Sequence, residues 1–125
     1  MILDTNAISA WFKGDAGFLK HLAVASRLFL PTPALGEYRF GILQSTRRAD
    51  LEDWLAQAEA VTDILDIDSA TARHYARIRL ELRKTGRPIP LNDLWIAALA
   101  IQHGLPVLSN ATHFDSVPAV QRLAW

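Results

Sequence analysis

Three acidic residues stand where an apolar segment begins or ends. Asp4 follows Ile2-Leu3, Glu37 lies shortly after Pro33, and Asp93 opens onto the run Leu94 to Ile101. Two carboxylates about 4 Å apart repel by roughly 4 kcal/mol at an effective dielectric near 20. Acids that meet in one place therefore raise one another's pKa unless a cation neutralises them. A hard divalent ion with oxygen ligands does so, and Mg2+ needs only one or two carboxylates beside water and a substrate phosphate. Each acid also has an ordinary reading. Asp4 can cap a following helix, an effect worth about 1 kcal/mol. Asp93 stands where a helix dipole favours an anion, and Glu37 can be a solvated first-turn residue. The eight apolar residues after Asp93 place its helix end deep in the protein, which favours a shared role over three separate ones. Spacing alone does not bring the acids together; the fold has to.

The elements that must do this are short and alternate. Strands are expected at Ile2-Leu3, Leu28 to Leu30, Ile64 to Ile67 and Pro106 to Leu108, with Val120 to Ala124 as a last strand at the sheet edge. Helices are expected over Ala7 to Phe12, Gly17 to Ser26, Ala34 to Ser45 and Asp50 to Val61. On the third of these, Leu35, Tyr38, Ile42 and Leu43 are placed near the core. A longer helix begins at the Asp68-Ser69 cap and reaches Thr85, with Thr71, Tyr75, Ile78 and Leu82 on one stripe. The last begins at Asn92, is apolar on all sides from Leu94 to Ile101, and ends at His103-Gly104. Strands alternating with helices imply a parallel sheet covered on both faces. Ligands in such folds gather outside the carboxyl ends of the strands, where Asp4 and Ser109 both fall.

Length and composition suit one core: residues 1–125 read as a single domain, 50% hydrophobic and 21% charged. Thirteen basic residues balance thirteen acidic ones, so a polyanion would have to be met by a local cluster of cations. No cysteine is present, which excludes disulfides, thiolate metal sites and a cysteine nucleophile and fits a reducing cytoplasm. No basic leader precedes the first apolar run, so no signal peptide is expected. The longest apolar stretch is far short of the roughly 20 residues that span a bilayer.

Met1-Ile2-Leu3-Asp4-Thr5-Asn6, Leu35-Gly36-Glu37 and Asn92-Asp93-Leu94-Trp95-Ile96-Ala97-Ala98 together resemble the motifs of the PIN-domain family, and among its members the VapC toxins of bacterial toxin–antitoxin pairs. The resemblance runs the length of the chain, through Val107-Leu108-Ser109 and His113-Phe114. It implies a three-layer α/β/α sandwich around a short parallel sheet. It also implies a ribonuclease that cleaves single-stranded or loop RNA with Mg2+ or Mn2+. By that likeness Asp4 and Asp93 are the principal metal ligands, Glu37 completes the acidic pocket directly or through water, and Asn6 and Ser109 orient the acids. The likeness further implies a VapB-like antitoxin that sets an arginine among the acids. It implies a homodimer too, for which Leu35, Phe40 and Ile42 are candidate surface residues, core burial explaining them equally well.

The family usually carries a fourth acid or an asparagine two residues after the serine or threonine that ends the last strand. Here that place is Ala111, which cannot ligate metal. Asn110 and Asp115 are the candidates to supply what is missing, Asp115 reading more naturally as a loop or cap residue. Arg39, Arg47 and Arg48 flank the Glu37 helix, and Arg83, Lys84 and Arg87 precede the Asp93 helix. They form either a phosphate track or solvated helix faces. The four histidines show no metal spacing, and His113 reads as a packing residue beside Phe114. The four tryptophans read as core or interface. Two other functions compete with the nuclease. One is a binding module that keeps the fold and lacks efficient cleavage, favoured by Ala111. The other is phosphotransfer through an aspartyl nucleophile at Asp4, which expects an aspartate where Asn6 stands.

Overall fold

The computed structural model describes residues 1–125. Five strands alternate with six helices in the order β1 (Ile2–Leu3), α1 (Thr5–Lys13), α2 (Ala16–Val24), β2 (Phe29–Pro31), α3 (Thr32–Leu43), α4 (Arg48–Ala60), β3 (Asp63–Leu65), α5 (Ser69–Lys84), α6 (Leu91–His103), β4 (Val107–Leu108) and β5 (Arg122–Leu123), with a 3-10 turn at Thr112–Ser116 before β5. All pairings are parallel, and the strands lie in the order β3-β2-β1-β4-β5. The chain thus builds outward from β1 to β3, then returns across the sheet to β4. By the right-handed rule for parallel crossovers, the helices between β1 and β3 and those between β3 and β4, where the direction across the sheet reverses, belong to opposite faces. Helices on both faces leave the strands buried on each side. Ile2, Leu3, Leu30, Val107 and Leu108 are accordingly inaccessible to solvent.

The change of direction occurs at β1, whose neighbours β2 and β4 are reached by connections that leave in opposite senses. A crevice opens at such a switch point, outside the carboxyl ends of the strands. Asp4 directly follows β1 and Ser109 directly follows β4, so both are delivered to its mouth. α6 forms the far wall. It is apolar around its whole circumference because it lies in the core, where Leu94, Ile96, Ala97, Ala98, Leu99 and Ala100 are buried. Gly104 closes α6 in the left-handed conformation, which costs a residue without Cβ nothing.

Two expectations need correction. α6 begins at Leu91 with Pro90 at its N-cap, so Asn92 lies inside the first turn and does not cap it. Proline already fixes a backbone angle suited to a helix start, which moves the boundary forward. Leu43 is exposed, because the buried stripe of α3 runs through Ala34, Leu35, Tyr38 and Ile42 and turns away before it. Leu35 and Ile42 are therefore core residues and offer no surface to a partner, whereas Phe40 is 62% exposed. Trp11 and Trp54 meet edge to face, Trp95 stacks on Tyr75, and Trp125 packs on Phe18, so the tryptophans serve packing.

Candidate active site

Asp4 is 3% exposed, and its carboxylate is held from three directions. The Thr5 amide donates to Oδ1 at 2.8 Å, which caps α1. The Ser109 hydroxyl donates to Oδ2 at 2.8 Å, and Asn6 Nδ2 donates to the same oxygen at 3.1 Å. Asn6 Nδ2 also donates to Ser109 Oγ at 3.1 Å, and the Ala111 amide does so at 2.9 Å. The Asn110 amide in turn donates to Asn6 Oδ1 at 3.2 Å. The helix-cap reading of Asp4 and its place in an acidic pocket are therefore both met by one side chain. This network leaves no buried side-chain polar atom without a partner, so Asp4 cannot turn away from the crevice without stranding several donors.

Glu37, on the exposed side of α3, accepts through Oε2 from Thr5 Oγ1 at 2.9 Å and at longer range from Asn92 Nδ2 at 3.5 Å. Asp93, in the first turn of α6, has a side chain only 13% exposed and places Oδ2 2.9 Å from His113 Nδ1. All three acids line one hollow of about 630 Å3, together with His113 and Ala111. Their charges act on one another. Burial pushes the Asp4 carboxyl up, against the bonds from Ser109 and Thr5, and the charges of Asp93 and Glu37 push it further. Burial also raises Asp93, and Glu37 adds to it, while His113 opposes both through its hydrogen bond and its charge.

Of the other residues the sequence singled out, Asn6 and Ser109 bind Asp4 directly, and Asn110 supports Asn6 through its backbone. The Asn110 side chain accepts from the Trp125 amide at 3.1 Å. Asp115 is not brought into the hollow: Arg122 grips it with bonds of 2.8 and 2.9 Å. Sequence reading missed His113, which it assigned to packing and which instead reaches Asp93; Phe114 beside it is the buried residue of the pair. It also missed Thr5 and Asn92 as partners of Glu37. Arg39 is bound to Glu52 and Glu59 on α4, so it is tied into a charge network.

Asp93 Oδ1 and Glu37 Oε1 accept no hydrogen bond. With Asp4 beside them, the available donors are hard carboxylate oxygens under mutual repulsion, a set that suits a hard divalent cation. No three acidic or histidine side chains are close enough to hold one ion between them. The fit is thus to an ion that takes one or two carboxylates directly and fills the remaining positions with water.

The PIN domain family model matches residues 1–120. Ribonuclease VapC5 of Mycobacterium tuberculosis is 34% identical to the chain over 118 residues, covering 93% of this chain and 86% of that protein. Among solved structures, DNA-bound VapBC from Salmonella typhimurium superposes with a TM-score of 0.90 at 26% identity, covering 99% of this chain and 96% of that one. VapBC2 from Rickettsia felis, bound to a DNA fragment from its promoter, shares the fold with a TM-score of 0.92 at 23% identity, covering 99% of this chain and 97% of that one. The five-stranded parallel sheet with helices on both faces agrees with the fold expected from the sequence, and Asp4, Glu37 and Asp93 all fall within the matched residues. The chain belongs to the PIN-domain family.

Proposed function

We propose that this protein is a metal-dependent endoribonuclease, the toxin of a toxin–antitoxin pair, with residues 1–125 acting as one nuclease domain in the cytoplasm. The observation that carries the reading is the meeting of Asp4, Glu37 and Asp93, from three separate elements, on one hollow at the switch point of the sheet. Similarity to proteins named VapC ribonucleases supports the activity, and the VapBC complexes among its structural neighbours support an antitoxin partner. No helix is long and apolar enough to cross a membrane.

Asp4 and Asp93 would hold Mg2+ or Mn2+, with Glu37 joining through water. When bound, such an ion supplies the Lewis acidity that activates water for attack on phosphorus and offsets charge on the phosphoryl oxygens. Asn6 and Ser109 keep Asp4 in place, and Thr5 keeps Glu37 turned into the hollow. The unpartnered oxygens of Asp93 and Glu37 suit an arginine fork from an antitoxin, which would occupy the same place as the ion. A homodimer is part of the same reading, with Phe40 on the exposed face of α3 as a contact.

RNA must be held by cations, although the chain as a whole is neutral. Residues 73 to 87 carry six of them (Arg73, Arg77, Arg79, Arg83, Lys84 and Arg87) against the single acid Glu81. None of the six is in an ion pair. Arg79 and Arg83 rim a cleft that reaches Leu91, and Leu91 also lines the acidic hollow. A strand of phosphates laid along α5 would lead to the acids.

The test is incubation with structured RNA in Mn2+, in EDTA, and with Asp93→Asn. Cleavage is expected only in the first, and cleavage that survives EDTA or the substitution overturns the metal mechanism. Ala111 favours the alternative of a binding module, which would bind an antitoxin tightly and cut no RNA under any of these conditions.

A further inference from the structure

The place where the family offers a fourth acid is filled here by Ala111, whose amide is already committed to Ser109 Oγ. Beyond it the chain enters the 3-10 turn Thr112–Ser116, and Phe114, fully buried, plugs this turn into the core. The turn is also held from outside, because Arg122 bonds both Asp115 oxygens and the Ser109 carbonyl, the latter at 3.2 Å. A turn fixed at both sides presents His113 at a defined position on the rim of the hollow. Its ring is half exposed, and its one polar contact is Nδ1 against Asp93 Oδ2 at 2.9 Å. A carboxylate acceptor selects the Nδ1–H tautomer. One oxygen of Asp93 is thereby pinned, and Oδ1 is left without a partner.

We infer that His113 is a positioning residue for Asp93: its Nδ1–H holds Oδ2 so that Oδ1 is presented to a divalent ion. The inference rests on the metal-nuclease reading. Ligating carboxylates are themselves commonly hydrogen-bonded, and loss of such an outer partner typically lowers metal affinity about 10- to 100-fold.

The test is direct titration of the metal-free, full-length protein with Mn2+, followed by electron paramagnetic resonance of the free ion, for wild type and for His113→Ala, His113→Asn, His113→Gln and Asp93→Asn. Asparagine places an amide nitrogen where Nδ1 stands, whereas glutamine places one near Nε2. The expected result is about a tenfold or greater weakening in His113→Ala and His113→Gln, with affinity largely restored in His113→Asn. Wild-type affinity in His113→Ala overturns the inference. So does restoration by glutamine and not asparagine, since the ring would then act through Nε2. The Asn and Gln variants are both polar and of similar size, so their comparison carries the test should the alanine variant fold poorly. If Asp93→Asn binds Mn2+ as wild type does, or wild type binds none, the metal reading itself falls and takes the inference with it.

Discussion

Ser109→Ala removes one oxygen that serves three groups at once. Its hydroxyl donates to the buried Asp4 carboxylate at 2.8 Å, a charge-assisted bond worth about 1.5–3 kcal/mol. The same oxygen accepts from Asn6 Nδ2 and the Ala111 amide, each a neutral bond worth about 1 kcal/mol. Asn6 keeps its bond to Asp4, and the Ala111 amide is only partly buried, so these two losses count at less than full value. The expected destabilisation is about 3 kcal/mol at neutral pH, read by urea unfolding through tryptophan fluorescence. The difference also depends on pH. Asp4 has a folded pKa above its ordinary 3.8, so stability is fullest below that value and is lost as pH rises towards the folded pKa. The Ser109 bond lowers the Asp4 pKa, so its removal raises that pKa again, widens the interval and deepens the loss. The variant should therefore differ from wild type more at pH 7 than near pH 4. A difference below about 1 kcal/mol, or one unchanged between the two pH values, would refute the account of Asp4 as a buried charge held by Ser109.

Three further outcomes follow from the same geometry. Asp93→Asn removes a charge that burial and Glu37 make costly at neutral pH, so the metal-free variant should melt higher than wild type and lose any stabilisation by Mn2+; a lower melting temperature contradicts the repulsion. Asp115→Ala should lose far less RNA cleavage than Asp93→Asn, because Asp115 faces Arg122 and not the hollow and only helps to steady the turn that carries His113; a loss matching Asp93→Asn would make it the missing acid. Arg83→Ala with Arg87→Ala should weaken RNA binding and flatten its salt dependence by about 0.7 in log–log slope for each phosphate no longer neutralised; an unchanged slope removes α5 from the binding surface.

Asp4 was legible because its signal is local. A short apolar strand running into Asp-Thr-Asn is both a strand exit and a helix cap, and both hold. Asp93 was legible because the eight apolar residues after it mark a buried element, which fixes the depth of the acid that begins it. Alternation of strands and helices was enough to imply the parallel sheet and the end of it where ligands gather. What stayed out of reach is contact between distant segments. Nothing periodic marks the turn Thr112–Ser116, so the meeting of His113 with Asp93 could not be read from either residue's neighbours. Asn92 looked like a cap by residue type, but the proline two places earlier had already started the helix, freeing its side chain for Glu37. The edge of the α3 stripe failed at Leu43 because hydropathy says which residues prefer burial and not how wide the covered face is.

Ser109 is 105 residues from Asp4, yet it comes from the strand laid directly against β1. During synthesis the first acid leaves the ribosome long before the hydroxyl that steadies it, and Asp93 and His113 emerge in between or later. A nascent chain therefore carries all of β1 to β3 with the Asp4 network open, and that network closes only when β4 slots in beside β1. On the nuclease reading proposed above, a chain still short of β4 has Asp4 without its steadying hydroxyl and would not cut RNA.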